Sequence, residues 1–267
     1  MGWLLDFYWQ SMKTSMLVQF QYRIASYFFI IGMIAEPLIY LVVWSTVANE
    51  QGGSVGGYTA GSFAAYYIVW TLVRNINLVF SAPGWEYRIR RGELSAMLLR
   101  PLHPIHYDLA SYAGGKIIMV LLWLPIAVLL SLVFHPTFDL TPLGVAVFFV
   151  AIWCAFIIRS LLVSALGMIA FWTTRGQALF ELYIAIELVL SGRLAPLSLL
   201  PAWLQGVSGF LPFQWSFSFP IEALIGQLNT RQLLAGLGMQ ALWIGVGALL
   251  VRLIWRLGVR HFASVGN

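Results

Sequence analysis

The chain has 267 residues, of which 9% are charged and 60% hydrophobic, with a formal net charge of +5. A soluble globular domain carries about 25% charged residues and could not enclose this much apolar surface in one core. The composition therefore excludes such a domain and predicts an all-α membrane protein. The excess cations do not point to nucleic acid, because they flank apolar stretches, where topology and anionic lipid account for them.

Residues Trp3 to Tyr22 place Leu5, Trp9, Met12, Met16 and Phe20 three or four apart, with Asp6, Gln10, Lys13 and Gln21 between them. That spacing gives one apolar helical face and predicts an interfacial helix lying on the membrane (3–22). The alternative is an N-terminal extension of the first span. No basic leader precedes Lys13, so no secretory signal is expected. Six transmembrane helices follow, at about 24–47, 58–82, 117–134, 143–172, 178–200 and 233–255, judged against roughly 18–25 residues per helical crossing. The third is marginal, and the fifth is short unless it runs on toward Leu200. Gly52 to Gly57 reads as a flexible outer loop.

The distribution of lysine and arginine sets the orientation. With the N-terminus in the cytoplasm, Lys13, Arg23, Arg88, Arg90, Arg91, Arg100, Lys116, Arg175, Arg252, Arg256 and Arg260 fall inside. Arg193 and Arg231 fall outside, and Arg74 and Arg159 lie within spans. This bias predicts that both termini are cytoplasmic. Cys154, the sole cysteine, excludes an intrachain disulfide.

On the outer side, the segment 195–227 holds Pro196, Pro201, Pro212 and Pro220 among Trp203, Phe210, Phe213, Trp215, Phe217 and Phe219. It is too apolar for a solvated loop and too often interrupted by proline for a straight span. A pair of short re-entrant helices, shielded by protein, meets both constraints; a proline-kinked pair of full spans turning within Gly206–Gly209 is the alternative.

The cytoplasmic segment 85–101 carries Arg88, Arg90, Arg91, Gly92, Glu93, Leu94, Met97, Leu98 and Arg100. Glu93 to Arg100 forms a short helix ended by Pro101, which disfavours helical geometry in the residue before it. Leu94, Met97 and Leu98 line one side. An apolar ridge in a basic collar fits a groove on a partner protein; a patch held against anionic headgroups fits as well. His103 and His106 are three apart, but Pro104 between them disrupts a helical face, Asp108 is the only carboxylate close by and no cysteine is, so no metal, cofactor or catalytic site is expected there.

Four ionisable residues lie deep inside spans: Glu36, Arg74, Arg159 and Glu187. Counted from the cytoplasmic ends at about 1.5 Å per residue, their depths agree to roughly 8 Å. A lone charge at mid-membrane costs at least about 2.5–3.5 kcal/mol. The pairs Arg159 with Glu187 and Arg74 with Glu36 are therefore expected, either as clamps between helices or as groups lining the path.

In the order of these elements the chain resembles the permease subunits of type-2 ABC transporters, the exporter-type group with six spans. The strings Arg91-Gly92-Glu93-Leu94 and Leu98-Leu99-Arg100-Pro101 resemble that family's ATPase-contacting segment. Gly192-Arg193-Leu194-Ala195-Pro196-Leu197, Leu200-Pro201 and Leu211-Pro212-Phe213 resemble its outer segment, and Gly258-Val259-Arg260-His261-Phe262 its close. The resemblance implies half of an export path in a bacterial inner membrane, and a second permease chain, identical or paralogous, facing it through spans one and five. It also implies a separate ABC ATPase coupled through Arg88, Arg90, Arg91, Gly92, Glu93, Leu94, Leu98 and Arg100. No Gly-x-x-x-x-Gly-Lys-Ser/Thr loop occurs, so ATP hydrolysis is expected on another polypeptide. Two alternatives stand beside it. An ion-coupled carrier often shows repeats and broken midplane helices, neither of which is legible here; a non-transporting assembly subunit has no feature in its favour.

Overall fold

A computed structural model describes residues 2–262 except 80 and 174. Helix α1 (Gly2–Gln21) stops at Tyr22, and α2 (Arg23–Glu50) begins one residue later. Rather than extending α2, α1 lies along the first half of α6 (Pro104–Phe134). The Tyr8 hydroxyl meets His106 Nδ1 at 2.8 Å, Ser15 meets Ser111 at 3.2 Å, and the Phe7 and Tyr107 rings stand edge to face at 4.8 Å. The approach needs Gly114, where a Cβ would come within 2.4 Å of the Met12 carbonyl oxygen. The predicted apolar face is thus divided. Met12 and Met16 are half-buried, whereas Leu5, Trp9 and Phe20 stay exposed with Trp3 and Leu17. Small and aromatic residues make the protein contact, and the bulkier apolar stripe is left for lipid.

After α2 the glycine run is an ordered hairpin between Ser54–Val55 and Tyr58–Thr59, not a shapeless loop. Its four glycines all adopt positive φ, a region that suits residues without a Cβ. Thr59 then caps α3 (Ala60–Asn77) by accepting from the Ser62 amide. Helix α3 is the centre of the molecule, buried along nearly its whole length and packed against α2, α6 and α7 (Pro142–Met168). Leu78 and Val79 are not helical, and the chain resumes as α4 (Ser81–Arg90), followed by the short α5 (Leu94–Leu98).

Helix α6 begins at Pro104, not near residue 117, so the span expected to be marginal is 31 residues long. Charges usually mark span ends, so Lys116 suggests a start at about residue 117. The fold instead satisfies those charges internally, with Asp108 on Arg88 at 2.7 Å and Lys116 on backbone carbonyls. His103 caps the helix, its Nδ1 accepting from the Ile105 amide at 3.2 Å. Burial, with a smaller contribution from His106, pushes its pKa down to about 4, so the ring is neutral and able to accept.

Five helical stretches among the described residues are long and apolar enough to cross a membrane: Arg23–Glu50, Ala60–Arg90, Pro104–Phe134, Pro142–Phe171 and Thr230–His261. The fifth predicted span, 178–200, is not a continuous helix. Helix α8 (Gly176–Leu190) has 15 residues, about 22 Å of rise, and ends at a turn in which Gly192 takes φ +84°. Beyond it come α9 (Ala202–Phe210), α10 (Pro212–Ser216) and α11 (Ser218–Ile225), of 9, 5 and 8 residues. None is long enough to cross alone, so the kinked pair of full spans has no helix to build it. Helix α12 (Thr230–Gly258) opens on a capping box between Asn229 and Gln232.

Two sets of contacts define the ends of the bundle. At one end the Thr137 amide donates to Gly61 O and the Asp139 amide to Ile225 O, which gathers the starts of α3, α7 and α12. At the other end Trp255 packs on Trp85, His103 and Phe171, gathering the finish of α4, α7 and α12 with the start of α6.

Candidate functional site

The interruption of α3 is the local event from which the interior site is built. A helix that stops inside a bilayer leaves carbonyls without donors, and lipid offers none. Here cations supply them. Lys116 Nζ donates to Asn75 O at 2.9 Å and to Leu78 O, and Arg159 Nη1 donates to Asn77 O at 2.6 Å. The broken helix absent from the sequence reading is therefore present, and it is stabilised from α6 and α7.

Arg159 also forms a two-pronged contact with Glu187, Nε to Oε1 at 2.8 Å and Nη2 to Oε2 at 3.0 Å. Both are buried, Glu187 completely. Arg74 Nη1 stands 2.7 Å from Glu36 Oε2, in a more open setting. The structure thus brings together both residue pairs that the depth argument selected. It adds a member that sequence counting placed outside the membrane. Arg193 is nine-tenths buried and stands 3.5 Å from both Glu36 and Glu187, linking the two pairs into one ladder. Its guanidinium also lies over the rings of Trp70 and Phe217, at 5.7 and 5.8 Å, a favourable placement for a cation. The turn that carries it is pinned from α2 and α3. Tyr66 donates to Gly192 O, and Tyr67 and Trp44 to Leu194 O, at 2.8, 3.0 and 3.1 Å. The available signal was the short fifth span: a helix ending at Gly192 leaves Arg193 inside the body.

The segment 85–101 divides into an inward and an outward set. Leu94 is fully buried against Trp85, Ile105, Met168 and Val251, so it cannot belong to a docking ridge as expected. Periodicity cannot tell which side of a five-residue helix faces the core. Arg88 is likewise committed, held by Asp108 and lying over Trp85 at 5.1 Å. Arg90, Arg91, Glu93, Leu98, Leu99 and Arg100 are exposed, and Leu99 is 89% so. Arg90 reaches Glu86 at 3.3 Å, while Arg91 and Arg100 lie over Tyr87 and Tyr107. The turn between α4 and α5 rests on Gly92, at φ +75°. A side chain there is strained, so Gly92→Ala is expected to cost about 1 kcal/mol, seen as a lower unfolding temperature of the purified chain. An unchanged temperature would mean that the turn relaxes freely.

Among the described residues, no group of three or more His, Cys, Asp or Glu could hold a metal ion. Comparison with known proteins returns one family, described as ABC-2 family transporter protein, over residues 34–266. That span takes in the charge ladder, the basic turn and every helix from the middle of α2 onward. No curated protein matches the chain. With most of its length matched and its long apolar helices in place, the chain belongs to the ABC-2 family of multi-pass ABC transporter membrane proteins.

Proposed function

We propose that this chain is a permease subunit of an ATP-driven exporter, forming half of a translocation path and coupled to a separate ABC ATPase. The observation that carries the reading is the exposed turn 90–100. It projects Leu98 and Leu99 between Arg90, Arg91 and Arg100 at the end of the bundle where α4, α7 and α12 finish. An apolar pair in a basic collar is a compact knob for a groove on a partner. Association with the ATPase is tested by purifying the tagged chain from its native membrane and assaying for a co-eluting ATPase. Its absence under mild detergent would favour an ion-coupled carrier, the class in which the interrupted α3 would also be at home.

The path of the chain supports six crossings. Helices α7 and α12 finish at the same end, so the chain must return between them, and only α8 and the segment 191–229 are available. In this reading α8 crosses most of the bilayer, and α9 to α11 form the re-entrant element on the outer side. In this reading the N- and C-termini face the cytoplasm of a bacterial inner membrane; the positive charges at the turn end support that orientation.

One bundle is a thin wall for a solute path, so two permease chains enclose it. Helices α2 and α8 offer exposed apolar faces, with Ile39 61% and Val189 42% accessible at the level of the charge ladder. With Cys154 replaced by serine, cysteines at Ile39 and Val189 are expected to crosslink between differently tagged subunits. Crosslinks confined to single chains would rule out this facing pair.

A further inference from the structure

A cavity of about 220 Å³ opens beside the charge ladder, lined by Arg74, Arg159 and Arg193 together with Asn77, Phe180 and Phe217. A water occupies about 30 Å³ of liquid, so the space holds far more than one solvent molecule. Charge within the ladder does not balance, because three guanidiniums face two carboxylates. Glu36 is matched by Arg74 and Glu187 by Arg159, each at hydrogen-bonding distance. Arg193 has no carboxylate of its own. It reaches both at the long distance of 3.5 Å, and its Nε is buried without a hydrogen-bond partner. The Asn77 side-chain oxygen is also buried and unpartnered. An excess cation deep in a bilayer is costly, and a guanidinium with unused donors is a ready receptor for a planar or tetrahedral oxyanion.

We propose that this cavity is a binding subsite for one negative charge, borne as a carboxylate or a phosphodiester by an amphiphilic substrate. Arg193 receives the oxyanion, and Phe180, Ile184 and Phe217 take the adjoining apolar part. This deepens the exporter reading by naming a substrate class, and rests on it only for the direction of transport.

The test measures binding without ATP, so failure of the ATPase assignment leaves it intact. Tritiated palmitate is bound to the full chain in detergent by scintillation proximity, with hexadecanol of equal chain length as the uncharged control. Palmitate is expected to bind at least tenfold more tightly than hexadecanol, and Arg193→Gln to remove that difference while Arg193→Lys keeps most of it. Displacement of palmitate by millimolar inorganic phosphate would overturn the amphiphile in favour of a small anion. A second variant guards against a misfolded Arg193→Gln. Ile184→Glu places a carboxylate on the cavity wall, so it is expected to abolish palmitate binding and yet to unfold at a higher temperature than Ile184→Gln. A lower unfolding temperature for Ile184→Glu, or equal palmitate binding by wild type and Arg193→Gln in folded protein, would overturn the proposal.

Discussion

Glu187→Gln is expected to destabilise the subunit by about 3–5 kcal/mol, the range for breaking a buried ion pair from one side. The substitution leaves Arg159 buried with no counter-charge, keeping the Asn77 O bond and at most one acceptor at 187 where there were two, and removes one of the two carboxylates near Arg193. Thermal or denaturant unfolding of the purified chain reads the loss. For an isolated pair, exchanging the partners as Arg159→Glu with Glu187→Arg should recover most of it. The geometry here predicts a poor recovery. An arginine at 187 would stand close to Arg193, and a glutamate at 159 would turn an acceptor toward Asn77 O, whose donor has been removed. Adding Arg193→Gln to the exchange is therefore expected to raise stability, since it relieves the new repulsion. An exchange that alone matches wild type would show that the pairs act independently and that Arg193 does not link them.

How much of this was legible in the sequence follows from what each feature depends on. The long spans were readable because crossing a bilayer demands an uninterrupted apolar run, and that demand is local. Both charge pairs were readable because burying a lone charge is expensive and the depths agreed. The start of α6 was misplaced for a related reason. Asp108 and Lys116 resemble span ends until Arg88 and the carbonyls of α3 are seen to satisfy them. The interruption at Leu78 and Val79 had a signal that went unread: Asn75 and Asn77 precede it, and Ser81-Ala82-Pro83-Gly84 follows, with proline in the first turn of the next helix. It is sustained by Lys116, 41 residues from Asn75, and by Arg159, 82 residues from Asn77. Gly192 was a clue left unused, because a glycine beyond an apolar helix often marks its left-handed cap. Reading α8 as ending there would have moved Arg193 into the membrane and completed the ladder.

Reversing charge at Arg90, Arg91 and Arg100 together is expected to abolish substrate-stimulated ATP hydrolysis in the assembled transporter while leaving insertion and folding intact. All three are exposed and lie on rings or an adjacent glutamate rather than in the core, so the bundle does not depend on them. A partner groove would depend on them twice. The charges steer encounter, and like-charge contacts in a wrong pairing cost several kcal/mol. Leu98 and Leu99 should carry more of the bound-state energy, because a few desolvated side chains dominate an interface. Leu99→Asp alone is expected to weaken ATPase association at least about tenfold, or 1.4 kcal/mol. Arg88→Glu gives the contrast. It sets a carboxylate against Asp108 at a contact that is now 2.7 Å, so it should lower the unfolding temperature of the isolated chain. The outcomes separate the two uses of the basic turn. If the triple reversal leaves ATP hydrolysis intact but weakens binding to anionic vesicles, the turn rests on headgroups and the ATPase docks elsewhere. If hydrolysis is lost and vesicle binding is kept, the knob of Leu98 and Leu99 within its basic collar is where the motor takes hold.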